Sequence, residues 1–222
     1  MRRMATVNLE PAAAPSDRSD LPRMTEEEFV AWCDEQTRAE WVDGEVVLMN
    51  AVEPDHGRLS FFIGHLLRGF VDEHDLGEVM GEPVTVRLPR QRRRRSPDLF
   101  FFGPAKAGQV TRQHFEGAPD LIVEVVSPES QTRDRHEKFQ EYEAAGVPEY
   151  WLADRTLRTF EAYTLGADGR YASIPVTGGV VHSAVLPGLF FRPEWVWQLR
   201  FPKVAPPLVA MAEDRRRLGE NR

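Results

Sequence analysis

The segment Leu121–Val126, with the sequence LIVEVV, constrains the fold more than any other part of the chain. An almost unbroken apolar run of this length is typical of a central strand that is buried on both faces of a sheet. Alternation along the strand places Glu124 on the same face as Ile122 and Val126. A carboxylate in this position needs a cation, a proton or several donors. Glu124 is therefore either a metal ligand or a structural carboxylate, at a sheet edge or paired with an arginine.

Periodicity and capping signals predict the helices. Thr25 and Glu28 form a capping box for a helix over 25–35. Apolar residues at helical spacing predict a helix over 56–74 with one buried face. A further helix over 133–145 directly follows the LIVEVV segment and ends at Gly146 and Pro148.

Turn signals and apolar runs predict the strands. The pair Asp43-Gly44 between apolar flanks predicts a hairpin over 41–49. Further strands are predicted over 79–88, 98–102, 150–153, 159–165 and 171–176. Because helices and strands alternate, the predicted fold class is α/β, with a mixed central sheet flanked by helices. An extra N-terminal helix and hairpin precede this core, and further strands follow it.

Composition limits the classes of partner and compartment. The 222 residues carry 28 Lys and Arg against 35 Asp and Glu, a net charge of −7, so contact with a polyanion has to be local. The single cysteine, Cys33, excludes an internal disulfide framework and a cysteine-based zinc site. With no apolar stretch of the ~18 residues that a membrane helix needs and no signal-peptide pattern, we expect a cytoplasmic protein without membrane contact.

The same reasoning divides the chain into one domain and two tails. Residues 1–23 are rich in Ala, Pro, Ser and Asp and have no apolar period, which is typical of a disordered tail. Residues 201–222 are Pro-rich and then charged, and we expect a second tail with a short exposed helix. The folded domain is predicted over 24–200.

Asp98 is the expected partner of Glu124. It follows Ser96-Pro97 at the head of the 98–102 strand, where proline fits because it cannot donate to a sheet ladder. A plain turn aspartate is the alternative interpretation. The rival Asp120 lies four residues before Glu124 on the same strand, about 13 Å away and too far to share one metal ion.

Lys138 is the third candidate. It lies on the helix that follows the Glu124 strand, and Arg135, Lys138 and Tyr142 are spaced to share one helix face. A solvated lysine on an amphipathic helix is the alternative.

The ordered set of these motifs resembles a known family. Asp98 in RSPDLFFF, Glu124 in PDLIVEVVSPES, then Asp134, Lys138 and Tyr142, then GVPEYWLAD, are similar to the Uma2 family, an offshoot of the PD-(D/E)xK nuclease superfamily. The segments MTEEEF, AEWVDGEVVLM and PDHGRLSFFIGHLL match the usual opening of that family. The resemblance spans residues 24–197.

The resemblance implies a restriction-endonuclease-like core and a metal site. Asp98, Glu124 and the backbone carbonyl of Val125 would hold Mg²⁺ or Mn²⁺. The superfamily motif has lysine two residues after the glutamate, but this chain has Val126 there. In Uma2-like proteins a lysine from the next helix is thought to serve instead, which identifies Lys138 as the catalytic lysine.

Further residues are candidates for the same site. Glu40 and Glu45 in AEWVDGE are candidates for an additional carboxylate ligand, and His56 for binding a phosphate or orienting a ligand. A capping or packing role is the alternative for His56. The run Arg92–Arg95 is a local cationic patch that predicts contact with the nucleic-acid backbone, and a tolerant polar hairpin loop is the alternative.

These features together predict a metal-dependent endonuclease that hydrolyses phosphodiester bonds, with DNA as the expected substrate. The alternative is a non-catalytic nucleic-acid-binding or interaction module that retains the nuclease fold. A homodimer would supply the two sites that cutting both strands requires.

Overall fold

The computed structural model describes residues 21–34, 37–49, 53–128 and 130–220. The predicted N-terminal tail, residues 1–23, lies almost entirely outside the described residues. The helices are α1 (Glu26–Trp32), α2 (Pro54–Glu73), a π-helical segment (Arg133–Lys138), α3 (Phe139–Ala145) and α4 (Ala205–Glu220). Short 3-10 segments cover Pro89–Gln91, Pro104–Gln109 and Pro193–Trp197. Over these ranges no helix combines the length and the apolar character that crossing a membrane requires.

The strands belong to three sheets. In chain order they are β1 (Ala39–Val42), β2 (Glu45–Leu48), β3 (Glu78–Gly81), β4 (Thr85–Leu88), β5 (Arg93–Arg95), β6 (Leu99–Phe102), β7 (His114–Glu116), β8 (Leu121–Val126), β9 (Glu149–Asp154), β10 (Thr159–Leu165), β11 (Tyr171–Ser173), β12 (Val181–His182) and β13 (Phe190–Phe191). The last two form a small sheet of their own.

A six-stranded mixed sheet forms the centre of the molecule. Its strand order is β11-β10-β9-β8-β6-β3. Strands β3, β6 and β8 form the expected antiparallel meander, and the crossover through α3 brings β9 parallel to β8. The predicted fold class, a mixed sheet flanked by helices, is confirmed.

A second, five-stranded sheet has the order β2-β1-β5-β4-β7. The capping box of Thr25 and Glu28 begins α1 as predicted. Asp43 and Gly44, both with positive φ, close the predicted hairpin between β1 and β2. The N-terminal helix and hairpin are therefore confirmed, and pairing of β1 with β5 attaches them to the core.

The prediction of one strand over 79–88 was wrong. The chain forms two strands that belong to different sheets, because β3 pairs with β6 while β4 pairs with β5 and β7. Proline at 83 cannot donate to a ladder, and the Val84 N–H bonds to the carbonyl of Gly81 in a turn. A Cβ at Gly81 would lie 2.2 Å from the carbonyl oxygen of Asp98, so only glycine allows this close approach.

The two faces of β8 contact different cores. Leu121, Val123 and Val125 pack with α2 in one core, whereas Ile122 and Val126 pack between the two sheets and α3 in the other. The alternation predicted for LIVEVV is therefore confirmed. Glu124 lies on the second face, where the five-stranded sheet and the helix after β8 meet the central sheet.

The segment 201–222 contributes a packed helix. Within it, α4 lies against α2, with the Leu208 side chain close to Gly69 and Met211 fully buried in the first core. A Cβ at Gly69 would lie 2.8 Å from Leu208 Cδ1, so this glycine allows the two helices to approach.

Candidate active site

Neighbouring strands place Asp98 beside Glu124. In the antiparallel register of β6 and β8, Leu99 is opposite Val123, so one further step sets Asp98 opposite Glu124. Asp98 Oδ2 accepts a hydrogen bond of 2.7 Å from the Val125 N–H. The register therefore places the expected partner of Glu124 on the neighbouring strand. The rival Asp120 accepts from the Gly103 N–H and pairs with Lys106, both at 2.7 Å, and has a structural role.

Pro97 ends the hydrogen-bonded ladder between β6 and β8. In the same register the residue opposite Val125 is Pro97, which has no backbone N–H. The Val125 N–H is bound by Asp98, and the Val125 carbonyl points to the same side of the strand. The Pro-Asp dipeptide therefore ends the ladder at the point where a carboxylate is positioned.

Lys138 and Tyr142 surround the Glu124 carboxylate. Both Lys138 Nζ and the Tyr142 hydroxyl lie 2.9 Å from Glu124 Oε1. Lys138 Nζ is also 3.2 Å from Asp134 Oδ1 and 3.5 Å from Glu40 Oε1. The lysine is buried, so the solvated-lysine interpretation does not hold.

The π-helical segment determines which side chains reach this cluster. Arg135 pairs with Asp154 at 3.0 Å and with Glu161, so it contacts β9 and β10 rather than the Glu124 carboxylate. A π-helix closes its hydrogen bonds after five residues rather than four, so residues at α-helical spacing no longer align. Such segments occur frequently at functional sites.

Glu40 joins the cluster through two cations. Its Oε2 lies 2.8 Å from the guanidinium of Arg95, and its Oε1 accepts from the Ser96 N–H at 3.1 Å. Burial acts to raise the pKa of Glu40, but the charges of Lys138 and Arg95 and the Ser96 N–H outweigh it and lower the pKa to about 2. Glu40 is therefore a fully compensated carboxylate.

The pKa of Glu124 shifts in the opposite direction from that of Glu40. Burial raises its pKa, the charge of Lys138 opposes that rise, and the nearby carboxylates of Asp134 and Asp98 add to it, leaving the pKa of Glu124 above its usual range. Lys138 itself remains protonated: burial acts to lower its pKa, but Asp134, Glu124 and Glu40 raise it further than burial lowers it. The carboxylates of Asp134 and Asp98 thus oppose a negative charge on Glu124, and Lys138 favours it.

His56 and Glu82 complete the site on the side of α2. His56 Nε2 lies 3.2 Å from Asp98 Oδ1, and this carboxylate raises the pKa of His56 against the effect of burial. Burial raises the pKa of Glu82; its salt bridge with Arg38 lowers it, and Asp98 raises it. Sequence reasoning missed Glu82 and Arg38. The sequence Gly81-Glu82-Pro83 could have indicated Glu82, because glycine and proline interrupt a strand and Glu82 lies between β3 and β4, which belong to different sheets.

Glu45 does not reach the site. It lies at the start of β2 and pairs with Arg23 at 2.6 Å, and both side chains are exposed. Sharing a hairpin with Glu40 does not bring Glu45 close to Asp98, because β1 and β2 run antiparallel and Glu45 is paired with Val42 at the turn. The prediction of Glu45 as an additional ligand was wrong for this reason.

The four arginines Arg92–Arg95 do not form the cationic surface patch that the sequence predicted. Arg95 is fully buried and binds Glu40 and Glu141, with each contact at 2.8 Å. Arg94 is buried beside Glu26 at 3.2 Å. Arg93 pairs with Glu141 at 2.5 Å. These three form strand β5 and have carboxylate partners inside the protein, so their assignment to the nucleic-acid backbone was wrong, as was the alternative of a tolerant loop.

Arg92 alone of this run is exposed to solvent, on 67% of its side chain, where it pairs loosely with Asp43 at 3.1 Å. Contact with a phosphate stays a prediction for this residue. A salt bridge between two such exposed groups contributes little to stability, so Arg92 can exchange Asp43 for another anion at low cost.

The donor set at Asp98 and Glu124 fits a hard divalent cation. No group of three or more His, Cys, Asp or Glu side chains in the described ranges is arranged to hold a metal ion. Mg²⁺, however, is commonly held by one or two carboxylates while it keeps several waters. The two carboxylates and the Val125 carbonyl are oxygen ligands of the kind that such a cation takes.

Comparison with known proteins identifies a family and a similar fold. Residues 26–194 match the model of the Uma2 family, described as "Putative restriction endonuclease". The uncharacterized protein slr1290 of Synechocystis sp. is 25% identical over 158 residues, which covers 70% of this chain and 82% of that protein. The crystal structure of a putative nuclease belonging to DUF820 from Anabaena variabilis superposes with a TM-score of 0.65 at 14% identity, covering 78% of this chain and 97% of the other.

Proposed function

This chain belongs to the Uma2 family of putative restriction endonucleases, and from that premise we propose that it is a metal-dependent endonuclease that hydrolyses phosphodiester bonds in DNA. The observation that carries the proposal is the position of Asp98 opposite Glu124, with Lys138 buried 2.9 Å from the glutamate. Two carboxylates on neighbouring strands beside a protonated lysine are the groups that metal-assisted phosphodiester hydrolysis requires.

Asp98, Glu124 and the carbonyl of Val125 would hold the cation, Mg²⁺ or Mn²⁺. When bound, a hard cation supplies a water of lowered pKa and stabilises negative charge on the phosphate oxygens. The protein prepares this position in two ways. Pro97 leaves the end of β8 without a ladder donor, and the Val125 N–H fixes the Asp98 carboxylate at 2.7 Å.

Lys138 has the role of the catalytic lysine. An ammonium has three donors, and those of Lys138 face Glu124, Asp134 and Glu40. Asp134 and Glu40 hold the ammonium in place, and its charge beside Glu124 stabilises the negative charge that develops on the reacting phosphate.

Tyr142 and His56 position the two carboxylates. The Tyr142 hydroxyl donates to Glu124 Oε1, the same oxygen that Lys138 contacts, so both groups orient the carboxylate. His56 contacts Asp98 Oδ1, while the Val125 N–H binds the other oxygen. Each carboxylate is thus held from at least two directions, which is the preorganisation that a catalytic site needs.

Two parts of the proposal concern the whole molecule. A homodimer would supply two sites for cutting both strands of a duplex, and sedimentation of the purified protein tests it. A cytoplasmic location likewise stays a prediction, which fractionation of cells tests.

A cleavage assay tests the proposed function. The purified protein is incubated with duplex DNA, single-stranded DNA and RNA in Mg²⁺, Mn²⁺ or chelator. We expect cleavage of DNA that chelator abolishes and that Asp98→Ala or Glu124→Ala removes while the fold is retained. Glu45→Ala is the matched control, because it removes an exposed carboxylate far from the cluster.

Activity that survives in chelator, or that both substitutions leave unchanged, contradicts the proposal. Binding of the metal ion without cleavage of any nucleic acid would favour the non-catalytic module instead.

A further inference from the structure

A cleft of about 470 Å³ lies along α2 next to the candidate site. One wall is the face of α2 between His56 and Arg68, and the other is formed by β3 and the start of β6. Asp98 and Glu82 line it beside His56, so the cleft is continuous with the proposed metal site. Its volume is within the range of small-molecule sites.

Phe61 lies at this cleft and is 73% exposed, the highest value among the Phe, Trp and Tyr residues of the described ranges. An apolar ring of this size is normally buried, so its exposure leaves a large apolar surface without a partner. The His65 ring, one helical turn further, has its centroid 5.2 Å from that of Phe61. The two rings give the cleft an aromatic side.

The α2 wall around Phe61 is made of small residues. Gly57, Ser60 and Gly64 line the cleft from α2, and Gly81 lines it from β3. A Cβ at Gly64 would lie 3.2 Å from Leu99 Cδ2, so α2 and β6 are in close contact at that position. The open part of the cleft therefore lies along the exposed Phe61 ring rather than between Gly64 and Leu99.

We infer that this cleft receives an unpaired nucleobase of the DNA strand that is cleaved at Asp98. The inference rests on the proposed function, because the same strand would place its phosphate at the metal site. Every nucleobase has a π-face that stacks on an aromatic side chain. The remaining lining is apolar, with Val79, Met80 and Leu99 opposite the helix, which suits a base and not a phosphate.

The charges at the two ends of the cleft suit the backbone of such a strand. The carboxylates lie at the Asp98 end, where the cation would bind, and Arg68 lies at the other end. Arg68 pairs with Asp72 at 2.7 Å and is more than half exposed, so its guanidinium is accessible to a phosphate. A base inside an intact duplex is stacked between its neighbours and cannot enter, so the strand is single or the base is extruded from a duplex.

Binding of labelled oligonucleotides tests this inference without cleavage. Fluorescence anisotropy measures the affinity of the full chain for an oligothymidylate and for a duplex of the same length, in chelator and in Ca²⁺. We expect the wild type to prefer the single strand. Phe61→Ala should weaken its binding by about 5- to 150-fold, since one stacked base is worth about 1–3 kcal/mol. Phe61→Trp should retain it.

Trp32→Ala is the matched control, because it removes an exposed aromatic ring outside the cleft and should leave binding unchanged. The duplex is also measured with and without a mismatch. If Phe61→Ala weakens binding of the mismatched duplex only, the base that enters the cleft is one extruded from a duplex. Equal binding by Phe61→Ala and Trp32→Ala overturns the inference, even if the wild type cleaves DNA. A change of oligomeric state in Phe61→Ala also overturns it, because the cleft then holds a second copy of the chain.

The two proposals fail in different ways. If the wild type cleaves duplex DNA but binds no single strand, the inference about the cleft is wrong and the endonuclease proposal stands. If Phe61 governs binding of a single strand but no metal-dependent cleavage occurs, the chain is a nucleic-acid-binding module.

Discussion

Glu40 on the five-stranded sheet and Glu124 on the central sheet are both buried strand residues, and both contact Lys138. Their pKa values nevertheless move in opposite directions. That of Glu40 falls to about 2, because Arg95 and Lys138 outweigh the effect of burial. That of Glu124 rises, because burial raises it and the carboxylates of Asp134 and Asp98 add to this effect, while Lys138 only partly opposes it.

The difference separates a structural carboxylate from a functional one. A buried carboxylate with cations and donors of its own chain is complete, and removing a partner destabilises the fold. A buried carboxylate with other carboxylates as neighbours lowers the stability of the fold until an external cation binds beside it. Strongly shifted pKa values of this kind are found frequently at functional sites. Glu40 belongs to the first kind, and we assign Glu124 to the second.

Removing the guanidinium of Arg95 should have the largest effect on the stability of the fold. Arg95→Met leaves the carboxylates of Glu40 and Glu141 buried without their main partner. We expect the free energy of unfolding to fall by about 3–5 kcal/mol, measured by urea denaturation at neutral pH. Arg92→Met is the control from the same run of arginines and should stay within about 0.5 kcal/mol of the wild type. Equal effects of the two substitutions would contradict a structural role for Arg95.

The acid side of the stability curve should report on Glu40. Because its folded pKa is lowered from 4.5 to about 2, Glu40 contributes stability that is present above pH 4.5 and is lost as the pH falls toward 2. This difference in pKa corresponds to roughly 3 kcal/mol. The gap in unfolding free energy between the wild type and Glu40→Gln should therefore narrow by about that amount over this range. A gap that does not change with pH would show that Glu40 is not a charged partner of Arg95.

The same substitution at Glu124 should have the smallest effect on stability. Glu124→Gln removes the repulsion from Asp98 and Asp134, while Lys138 keeps Asp134 and Glu40 as partners. In metal-free buffer we expect a protein that is as stable as the wild type or up to about 1 kcal/mol more stable. Melting curves of Glu124→Gln beside Glu40→Gln compare two buried glutamates under one chemical change. A loss of several kcal/mol at Glu124 would mean that this carboxylate is structural.

The features of the fold and of the site that depend on the pattern of neighbouring residues could be predicted from the sequence. The apolar run of β8 and the capping box of Thr25 and Glu28 need only neighbouring residues to be recognised. The expectation that Asp98 is the partner of Glu124 came from its place at the head of another strand and from the need of a buried carboxylate for a partner. These predictions use short-range rules that tertiary packing did not override.

The parts that depend on distant partners were not predictable. A run of four arginines normally predicts a solvated segment. Burial of β5 depends on distant carboxylates: Glu40 and Glu141, 55 and 46 residues away from Arg95, and Glu26, which pairs with Arg94. The division of 79–88 into two strands likewise depends on which sheet each half joins. The π-helical turn that brings Lys138 to Glu124 and Arg135 to Asp154 has no signal in the local pattern of residues.

Titration of the metal-free protein with Mg²⁺ or Mn²⁺ in a calorimeter tests most directly whether the cluster at Asp98 and Glu124 holds a cation. We expect the wild type to bind the cation and Glu124→Gln to lose that binding, while Glu40→Gln, measured under conditions where it is folded, retains it. Absence of binding by the wild type, or undiminished binding by Glu124→Gln, would contradict the assignment of Glu124 as a metal ligand.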